Sequence, residues 1–367
     1  MADFPTDLDG LTPAFLSEVL GVEVASVHGA LVAAQGAVST AARLELGYAS
    51  DGGGPESSGA SRQGAVFAKW SSPIEAVRQM AAQNGMYRRE VRFYRELAES
   101  SDVATPACHF AGWDRKSDEF LLILEDMSAS RVGNFYSASL EDVRQVVEAL
   151  PRFHARWWEH EDLGRLRWLF PLDHPAASGG LQAAFAAALP VTKGRFPSEF
   201  GGALGAVAEA IVERYPQIAS RYGARPATLA HSDLHLQQVF FPEENRGRFA
   251  IFDWQTVGRG FGGQDVARII GMSLSPAMRR ANERKLVELY HRGLVEAGVT
   301  AYPFEACWDD YRLGMSWSAL LNVVAGASVD QTAMDADAAE HGTSLAETFF
   351  GRVDAAIEEL DVLSLLG

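Results

Sequence analysis

The sequence has few cysteines and no long apolar run. Cys108 and Cys307 are the two cysteines in 367 residues, and their separation argues against a disulfide scaffold and a thiolate metal cluster. No apolar run approaches the roughly 18 residues that a membrane span requires. The N-terminal residues are acidic where a signal peptide would be basic. We therefore expect a cytoplasmic protein that does not act at a membrane.

Basic residues are also in deficit. Lys and Arg number 32 against 48 Asp and Glu, which gives a formal net charge of -16 at pH 7. A field of this sign repels phosphate backbones, so nucleic acid is not an expected partner, whereas an acidic cleft could receive a cationic ligand. With 47% hydrophobic and 22% charged residues, the composition is that of a globular protein. The length suits about two domains of roughly 150 residues each.

Several well-known motifs are missing as well. The chain has no G-x-S-x-G elbow, no Walker A lysine loop and no C-x-x-C pair, which removes the simplest hydrolase, P-loop and zinc-ribbon interpretations. No repeat of fixed period is visible. No heptad pattern is sustained long enough to predict a coiled coil, so the sequence leaves the oligomeric state open.

The first third of the chain is predicted to form an antiparallel sheet. Thr12 and Pro13 are typical of the start of a short helix, which should end near Gly21. A second helix is predicted over 86–97, where apolar residues recur at helical spacing. Residues 51–64 have the composition of a flexible hairpin connection. The β-branched and apolar runs predict strands at 22–32, 38–48, 65–70, 108–113 and 120–124.

Beyond Asp126 the pattern is mostly helical. The exception is 227–251, where short apolar runs bracket a cluster of polar residues. The chain is therefore predicted to have an α+β fold, with a sheet and one helix in its first part and helices in the remainder. The predicted helices are 140–159, 181–189, 200–222, 276–297, 304–325 and 345–365.

The candidate chemistry is concentrated in residues 229–255. The runs LAHSDLHLQQVFF and FAIFDWQ flank a turn and predict a small hairpin, which would bring Asp233, Gln238 and Asp253 to one end. Phosphoryl transfer uses a carboxylate beside the acceptor hydroxyl, and magnesium on the phosphates prefers carboxylate and amide oxygens. Asp233 suits the first role, and Gln238 with Asp253 suits the second.

These residues resemble a known family. The His-x-Asp pattern, an amide five residues after the Asp, and an apolar strand that ends in Asp-Trp are similar to the catalytic and metal-binding loops of the aminoglycoside phosphotransferase and choline and ecdysteroid kinase-like families. The resemblance implies that Asp233 is catalytic and that Gln238 and Asp253 bind metal. Most members have Asn at the position of Gln238, although maltokinase-like members share the His-x-Asp-x-His-Leu-x-Gln run.

The resemblance extends outward to a nucleotide site. Lys69 in VFAKW matches the strand lysine that contacts the α- and β-phosphates, and Glu90 matches the helix glutamate that pairs with it. Residues 35–40 lie where the phosphate-covering loop is expected, and residues 120–127 resemble the last strand of the small lobe and the hinge that binds adenine. The cofactor-binding residues that the resemblance implies are Lys69, Glu90, Gly36, Ser39, Glu125 and Met127.

The resemblance implies a protein-kinase-like bilobal fold. The small nucleotide-binding lobe would span 1–126, with the hinge at about 124–128 and the helical lobe over 127–367. The implied reaction transfers the γ-phosphate of ATP or GTP, with Mg²⁺, to a hydroxyl of a small molecule. An antibiotic of the aminoglycoside or nucleoside type is the first acceptor considered, and a primary-metabolic sugar or amino alcohol is the second. A nucleotide-binding pseudokinase that regulates a partner is the alternative of another class, motivated by Gln238 and by the glycine-poor segment 35–40.

Two other motifs have competing interpretations. His231 and His235 have the spacing of a zinc pair, but their segment reads as strand and loop and lacks the Glu of H-E-x-x-H, so we interpret His231 as a residue that braces the loop. The run GRGFGG at 258–263 resembles a dinucleotide fingerprint but has no β-α-β unit around it. An activation-type segment is the favoured interpretation, with Asp265 as the cap of the next helix.

Overall fold

The chain divides into two compact units. The computed structural model describes residues 3–32, 38–48, 64–244 and 246–367. The first unit comprises Met1–Ser100, Ala104–Arg131 and Pro242–Gln255, and the second comprises Ser101–Val103, Val132–Phe241 and Thr256–Gly367. The first unit thus runs five residues beyond the expected end at Asp126 and also takes in a later segment that carries Asp253.

The first unit is built on a five-stranded antiparallel sheet. Its strands are β1 (Val24–Leu31), β2 (Ser39–Tyr48), β3 (Ala65–Ser71), β4 (Cys108–Trp113) and β5 (Phe120–Glu125). They are ordered β1-β2-β3-β5-β4, and each neighbouring pair is antiparallel. All five strands lie within two residues of the predicted positions, because alternating apolar runs bounded by turn residues are a strong strand signal.

Three α-helices accompany this sheet. They are α1 (Pro13–Leu20), α2 (Glu75–Gln83) and α3 (Met86–Arg92), and α3 continues into a π-helical turn, Phe93–Leu97. The start of α1 is as predicted, since the Thr12 hydroxyl accepts from the Phe15 N–H at 3.3 Å, and Gly21 ends the helix with a φ of 67°. The helix α2 was not predicted. It follows Ile74, whose side chain makes no capping hydrogen bond.

The two faces of the sheet have different neighbours. On one face an apolar cluster joins α1 to the strands, and it includes Leu16, Val66, Ala68 and Trp70. On the other face Tyr87 of α3 stacks on Phe120 of β5, with ring centroids 4.4 Å apart. Because successive side chains of a strand point to opposite faces, β3 supplies both sides of the sheet.

The second unit is mostly helical, and the prediction of an α+β fold is confirmed. Its helices are α4 (Leu140–Trp157), α5 (Asp162–Arg165), α6 (Pro175–Arg195), α7 (Ala203–Gly223), α8 (Gly262–Ser273), α9 (Pro276–Glu296), α10 (Phe304–Gly326), α11 (Gln331–Glu340) and α12 (Arg352–Glu359). The short strands of the chain are β6 (Arg131–Val132), β7 (Ala227–Ala230), β8 (Val239–Phe241), β9 (Ala250–Ile251) and β10 (Gly258–Phe261). The strands β7 and β10 pair in antiparallel fashion. In the described residues no helix has the length and apolar character needed to cross a membrane.

The helix α8 lies at the centre of the second unit. All of its residues are buried, including the polar Gln264 and the charged Asp265 and Arg268. Its neighbour α10 approaches closely because Gly314 has no side chain, since a Cβ there would lie 2.5 Å from the carbonyl oxygen of Gly263. Any polar side chain on α8 is therefore carried into the protein interior, where it needs a partner.

Candidate active site

Lys69 lies in the middle of the sheet of the first unit. Its neighbours across the ladder are Ala41 of β2 and Leu122 of β5. Ala68 and Trp70 belong to the core on the α1 side, so the Lys69 side chain points to the opposite face of the sheet. Lys69 is 9% exposed, and its ammonium group therefore requires partners within the protein.

Two carboxylates satisfy the Lys69 ammonium group. Both carboxylate oxygens of Glu90, on α3, accept from Lys69 Nζ at 2.8 Å. Asp253 Oδ1 accepts from the same nitrogen at 2.6 Å. An ammonium group has three N–H donors, so these three charge-assisted bonds use its full capacity. The structure thus contains the predicted pair between Lys69 and Glu90 and adds Asp253 to it.

The cluster has one cation and two carboxylates. Burial alone would lower the pKa of Lys69, but the carboxylates of Asp253 and Glu90 outweigh it and raise that pKa above its usual range. Burial raises the pKa of Glu90 to about 7, against the opposing effect of Lys69 and with a contribution from Asp253. The surplus of negative charge makes this cluster receptive to a further cation.

Asp253 is held in a conformation that is uncommon for a residue with a side chain. Its φ is 66°, in the left-handed region. The next residue, Trp254, stacks on Phe93 with ring centroids 3.9 Å apart, and its indole N–H donates to the Ile251 carbonyl at 3.1 Å. This fixed tryptophan anchors the backbone beside Asp253 and so holds the carboxylate at Lys69. A strained backbone fixed by its surroundings is typical of functional sites.

The other residues proposed to contact the nucleotide are Gly36, Ser39, Glu125 and Met127. Gly36 lies outside the described residues, and Ser39 opens β2 opposite Ser71 of β3. The Glu125 N–H donates to the Ala107 carbonyl at 2.8 Å, and the Met127 carbonyl accepts from the Ser130 N–H at 2.8 Å. The Glu125 carboxylate also binds Arg248. Adenine binding by this segment stays a prediction.

In the second unit, a loop after β7 carries Asp233. Ser232, which precedes it, has a φ of 72°, again in the left-handed region. The Asp265 carboxylate accepts from the backbone N–H groups of His231 at 2.7 Å and Ser232 at 2.8 Å. The Trp317 indole N–H donates to the Ser232 carbonyl at 2.7 Å. Side chains of α8 and α10 therefore fix the backbone of this loop on both sides of Ser232.

Asp233 is bound by an arginine that no sequence motif predicted. Arg268 of α8 donates to Asp233 Oδ1 from Nε at 2.9 Å and lies 2.8 Å away through Nη2. The Arg268 side chain is 3% exposed, whereas that of Asp233 is 26% exposed. Asp233 is thus a partly exposed carboxylate that is held by a buried arginine.

Gln238 is buried behind the same loop. It ends a short 3₁₀ helix, Leu236–Gln238, and the residue is 5% exposed. Its amide oxygen accepts from the His235 N–H at 3.2 Å. Asp253 belongs to the first unit and Gln238 and Asp233 to the second, so their convergence in one hairpin stays a prediction.

The competing interpretations of nearby motifs gain no support. β7 ends at Ala230, so His231 does not lie on a helix as the zinc template requires. Among the described residues, no three His, Cys, Asp or Glu side chains are grouped as metal ligands. The GRGFGG run forms β10 and the start of α8, and β10 pairs antiparallel with β7, whereas a dinucleotide fingerprint needs parallel strands.

The sequence carried a signal for the residues that were missed. Asp265 does not cap α8 as predicted, because the helix starts at Gly262 and the carboxylate serves the loop before Asp233 instead. Arg268 follows it by three residues on the same helix, inside the apolar run DVARIIGM. A charged side chain within a buried helix is rare without a partner, so Arg268 indicated a buried acid that the sequence could not identify.

Two comparisons by sequence give one partial match. A family model described as DUF1679, "Uncharacterized oxidoreductase dhs-27", matches residues 203–363, less than half of the chain. A search of curated proteins finds no match. The GRGFGG run, which resembles a dinucleotide fingerprint, does not support the oxidoreductase description, because β10 pairs with β7 in antiparallel fashion.

Solved structures cover nearly the whole chain. A protein from Ralstonia eutropha JMP134, provisionally assigned as an aminoglycoside phosphotransferase, has a TM-score of 0.54 at 14% identity, with 95% of this chain and 97% of that chain covered. A Plasmodium vivax ethanolamine kinase has a TM-score of 0.48 at 9% identity, covering 93% and 83%. A microcompartment-associated aminopropanol kinase has a TM-score of 0.47 at 14% identity, covering 96% and 98%. The predicted resemblance is thus confirmed at the level of the fold: the chain has the protein-kinase-like fold of the aminoglycoside phosphotransferase structure.

Proposed function

We propose that the protein is an ATP- and magnesium-dependent phosphotransferase that acts on a hydroxyl group of a small molecule. The observation that carries the proposal is the cluster of Lys69, Glu90 and Asp253, in which a strand lysine is bound by a helix glutamate and by an aspartate in a strained backbone. Phosphoryl transfer depends on such fixed charges, because positioning and electrostatic stabilisation supply most of the rate enhancement. The fold supports the proposal but does not by itself establish an activity.

The nucleotide-binding role falls to Lys69. An ammonium group on a rigid strand suits the α- and β-phosphates, and Glu90 would hold it in place when phosphate oxygens arrive. Glu125 and Met127 remain the proposed contacts of the adenine, and Ser39 and Gly36 those of the phosphates.

The magnesium-binding role falls to Asp253 and Gln238. Asp253 Oδ1 already accepts from Lys69, its Oδ2 accepts from Gln255 Nε2 at 3.3 Å, and the amide oxygen of Gln238 accepts from one N–H. Carboxylate and amide oxygens are ligands that magnesium prefers, so the chemistry of these two side chains fits the ion. Magnesium would neutralise charge on the transferred phosphates.

Asp233 has the catalytic role in this proposal. Its carboxylate would accept the proton of the acceptor hydroxyl as the hydroxyl oxygen forms a bond to the γ-phosphorus. The bond between that phosphorus and the β–γ bridging oxygen breaks, and ADP leaves with that electron pair. The partial exposure of Asp233 makes it accessible to an acceptor.

The proposed acceptors are small molecules that carry hydroxyl groups. We place an antibiotic of the aminoglycoside or nucleoside type first and a metabolic sugar or amino alcohol second. ATP- and GTP-dependent ADP or GDP release should be measured against kanamycin, hygromycin B, a nucleoside antibiotic, glucose, choline and ethanolamine, with phosphorylated product identified by mass spectrometry. A nucleotide that binds without turnover on any of these compounds would favour the pseudokinase alternative and contradict the proposal.

Matched variants test the assigned residues. Asp233→Asn and Asp253→Asn should each lower turnover at least about a hundredfold, because each loses a charge that acts on the reacting groups. Asp118→Asn is the control, since Asp118 is another aspartate of the first unit with a positive φ, 55°, and has no assigned role. Undiminished turnover in Asp253→Asn, or equal losses in the control, would reject the assignment.

A further inference from the structure

Arg268 is fully committed to partners inside the second unit. Its Nε and Nη2 atoms both contact Asp233 Oδ1, at 2.9 Å and 2.8 Å. On the other side, its Nη1 donates to Asn322 Oδ1 at 2.5 Å and lies 3.5 Å from the Ser318 carbonyl oxygen. Arg268 therefore bridges α10 to one oxygen of the loop carboxylate and does not cover the other oxygen, Oδ2.

Asn322 is itself held in one orientation. Its amide nitrogen donates to the Phe349 carbonyl oxygen and lies 3.1 Å from Met272 Sδ. Because the nitrogen is used in this way, the amide oxygen must face Arg268. Asn322 is completely buried, and the close approach of α8 to α10 at Gly314 limits movement between the two helices. The support behind Arg268 is thus as rigid as the core of the unit.

A carboxylate on a loop can otherwise rotate about its last bond and present either oxygen. A guanidinium that grips one oxygen from two nitrogens removes this freedom, because rotation would break both charge-assisted bonds. The guanidinium also offsets the negative charge of Asp233, which would otherwise repel a phosphate group nearby. Both effects act on Asp233 without any contact between Arg268 and a substrate.

We propose that Arg268, supported by Asn322, is a positioning residue that clamps Asp233 Oδ1 and so presents Oδ2 to the acceptor hydroxyl. This inference rests on the proposed phosphotransferase function and extends it to a residue outside the catalytic loop. A purely structural role is the competing explanation. It applies to Arg279 of α9, another buried arginine, whose Nη1 donates to Glu283 at 2.5 Å.

The test uses the acceptor that gives the highest rate in the panel described above. Arg268→Lys should lower kcat about 10- to 100-fold and leave the KM for ATP within about twofold, because a displaced catalytic group lowers turnover more than nucleotide binding. Arg279→Lys is the matched control. It should show a comparable loss of melting temperature with kcat within about twofold of the wild type.

A double-variant cycle separates positioning from stability. If Arg268 acts through Asp233, then Arg268→Lys should lower the residual rate of Asp233→Asn by less than about twofold further. Should Arg268→Lys not fold, Asn322→Ser takes its place and should give the same pattern with a smaller loss of kcat, about 3- to 10-fold.

The outcomes are distinguishable. A wild-type protein with no phosphotransfer to any acceptor rejects the proposed function, and this inference with it. A wild-type protein that turns over while Arg268→Lys keeps its full kcat rejects the positioning role alone. The positioning role is equally wrong if the loss of kcat is as large in the Asp233→Asn background as in the wild type.

Discussion

Removal of the Lys69 charge should destabilise the protein through Glu90. Lys69→Met retains most of the side-chain length but removes the ammonium group, which leaves the carboxylates of Glu90 and Asp253 without their cation. Glu90 is 1% exposed and has both oxygens on Lys69 at 2.8 Å, so at pH 8 it must either stay charged without a partner or take up a proton, and both outcomes cost stability. Breaking a buried pair in this way costs about 3–5 kcal/mol. We expect a loss of that size in the free energy of unfolding at pH 8.

Neutralising Glu90 should reverse much of this loss of stability. In the wild type the pKa of Glu90 is already about 7, and without Lys69 burial should raise that pKa further. At pH 5.5 the carboxyl group would be protonated, and the loss should shrink. The double variant Lys69→Met/Glu90→Gln should recover at least about 2 kcal/mol of the loss at pH 8, because neutral groups tolerate burial better than a lone charge.

The measurement is urea denaturation followed by far-UV circular dichroism at pH 8 and pH 5.5. It compares the wild type, both single variants and the double variant, with Lys116→Met as the control, since Lys116 is an exposed lysine of the first unit. The control should change the unfolding free energy by no more than about 0.5 kcal/mol. A loss below about 1 kcal/mol for Lys69→Met at pH 8, or a loss unaffected by Glu90→Gln, would refute the reasoning.

Three further predictions concern other contacts. The raised pKa of Glu90 means that the folded state binds the Glu90 proton more tightly than the unfolded state. The stability of the wild type relative to Glu90→Gln should therefore be greatest below pH 4.5 and fall by up to about 3 kcal/mol as the pH rises through about 7. A stability difference that does not depend on pH in urea denaturation would contradict this. Asp265→Ala should cost about 3 kcal/mol or more, because two buried N–H groups lose their acceptor, and calorimetry showing a loss under 1 kcal/mol would count against that role. Thr12→Ala should cost about 1 kcal/mol through the lost cap of α1, whereas an unchanged melting temperature would show that the cap adds nothing.

Local patterns explain why much of the fold could be predicted. The strands β1 to β5 have alternating or apolar runs bounded by turns, and α1 has a cap, a proline and a terminal glycine in the expected order. Each of these signals acts within about ten residues of chain. The helix α2 lacked them, since no side chain caps its start after Ile74.

The candidate site depends on contacts that no local pattern encodes. The sequence supplied Lys69 and Glu90 through a resemblance, but the bond from Lys69 to Asp253 joins residues 184 positions apart. Arg268 lies 35 positions from Asp233. A charged residue in a buried helix predicts a buried partner, but the sequence does not identify which acid that partner is. The prediction that Asp265 caps a helix was wrong for the same reason. A helix cap is a local role, whereas the N–H groups that Asp265 binds lie in a loop more than 30 positions away.

Asp253, bound by Lys69, and Asp233, bound by Arg268, differ in whether a substrate could displace the bond. All three donors of Lys69 are used, so a phosphate that binds it must replace one of them. Asp253 is the partner that can be replaced, because it gives a single bond and is 20% exposed, whereas Glu90 gives two bonds and is buried. In the proposed function, Asp253 would then help to hold the metal ion, whose charge would offset that of the phosphates. Arg268, by contrast, is itself buried, so we expect both of its contacts with Asp233 to persist when a substrate binds. Lys69 would instead exchange its bond to Asp253 for a bond to a phosphate.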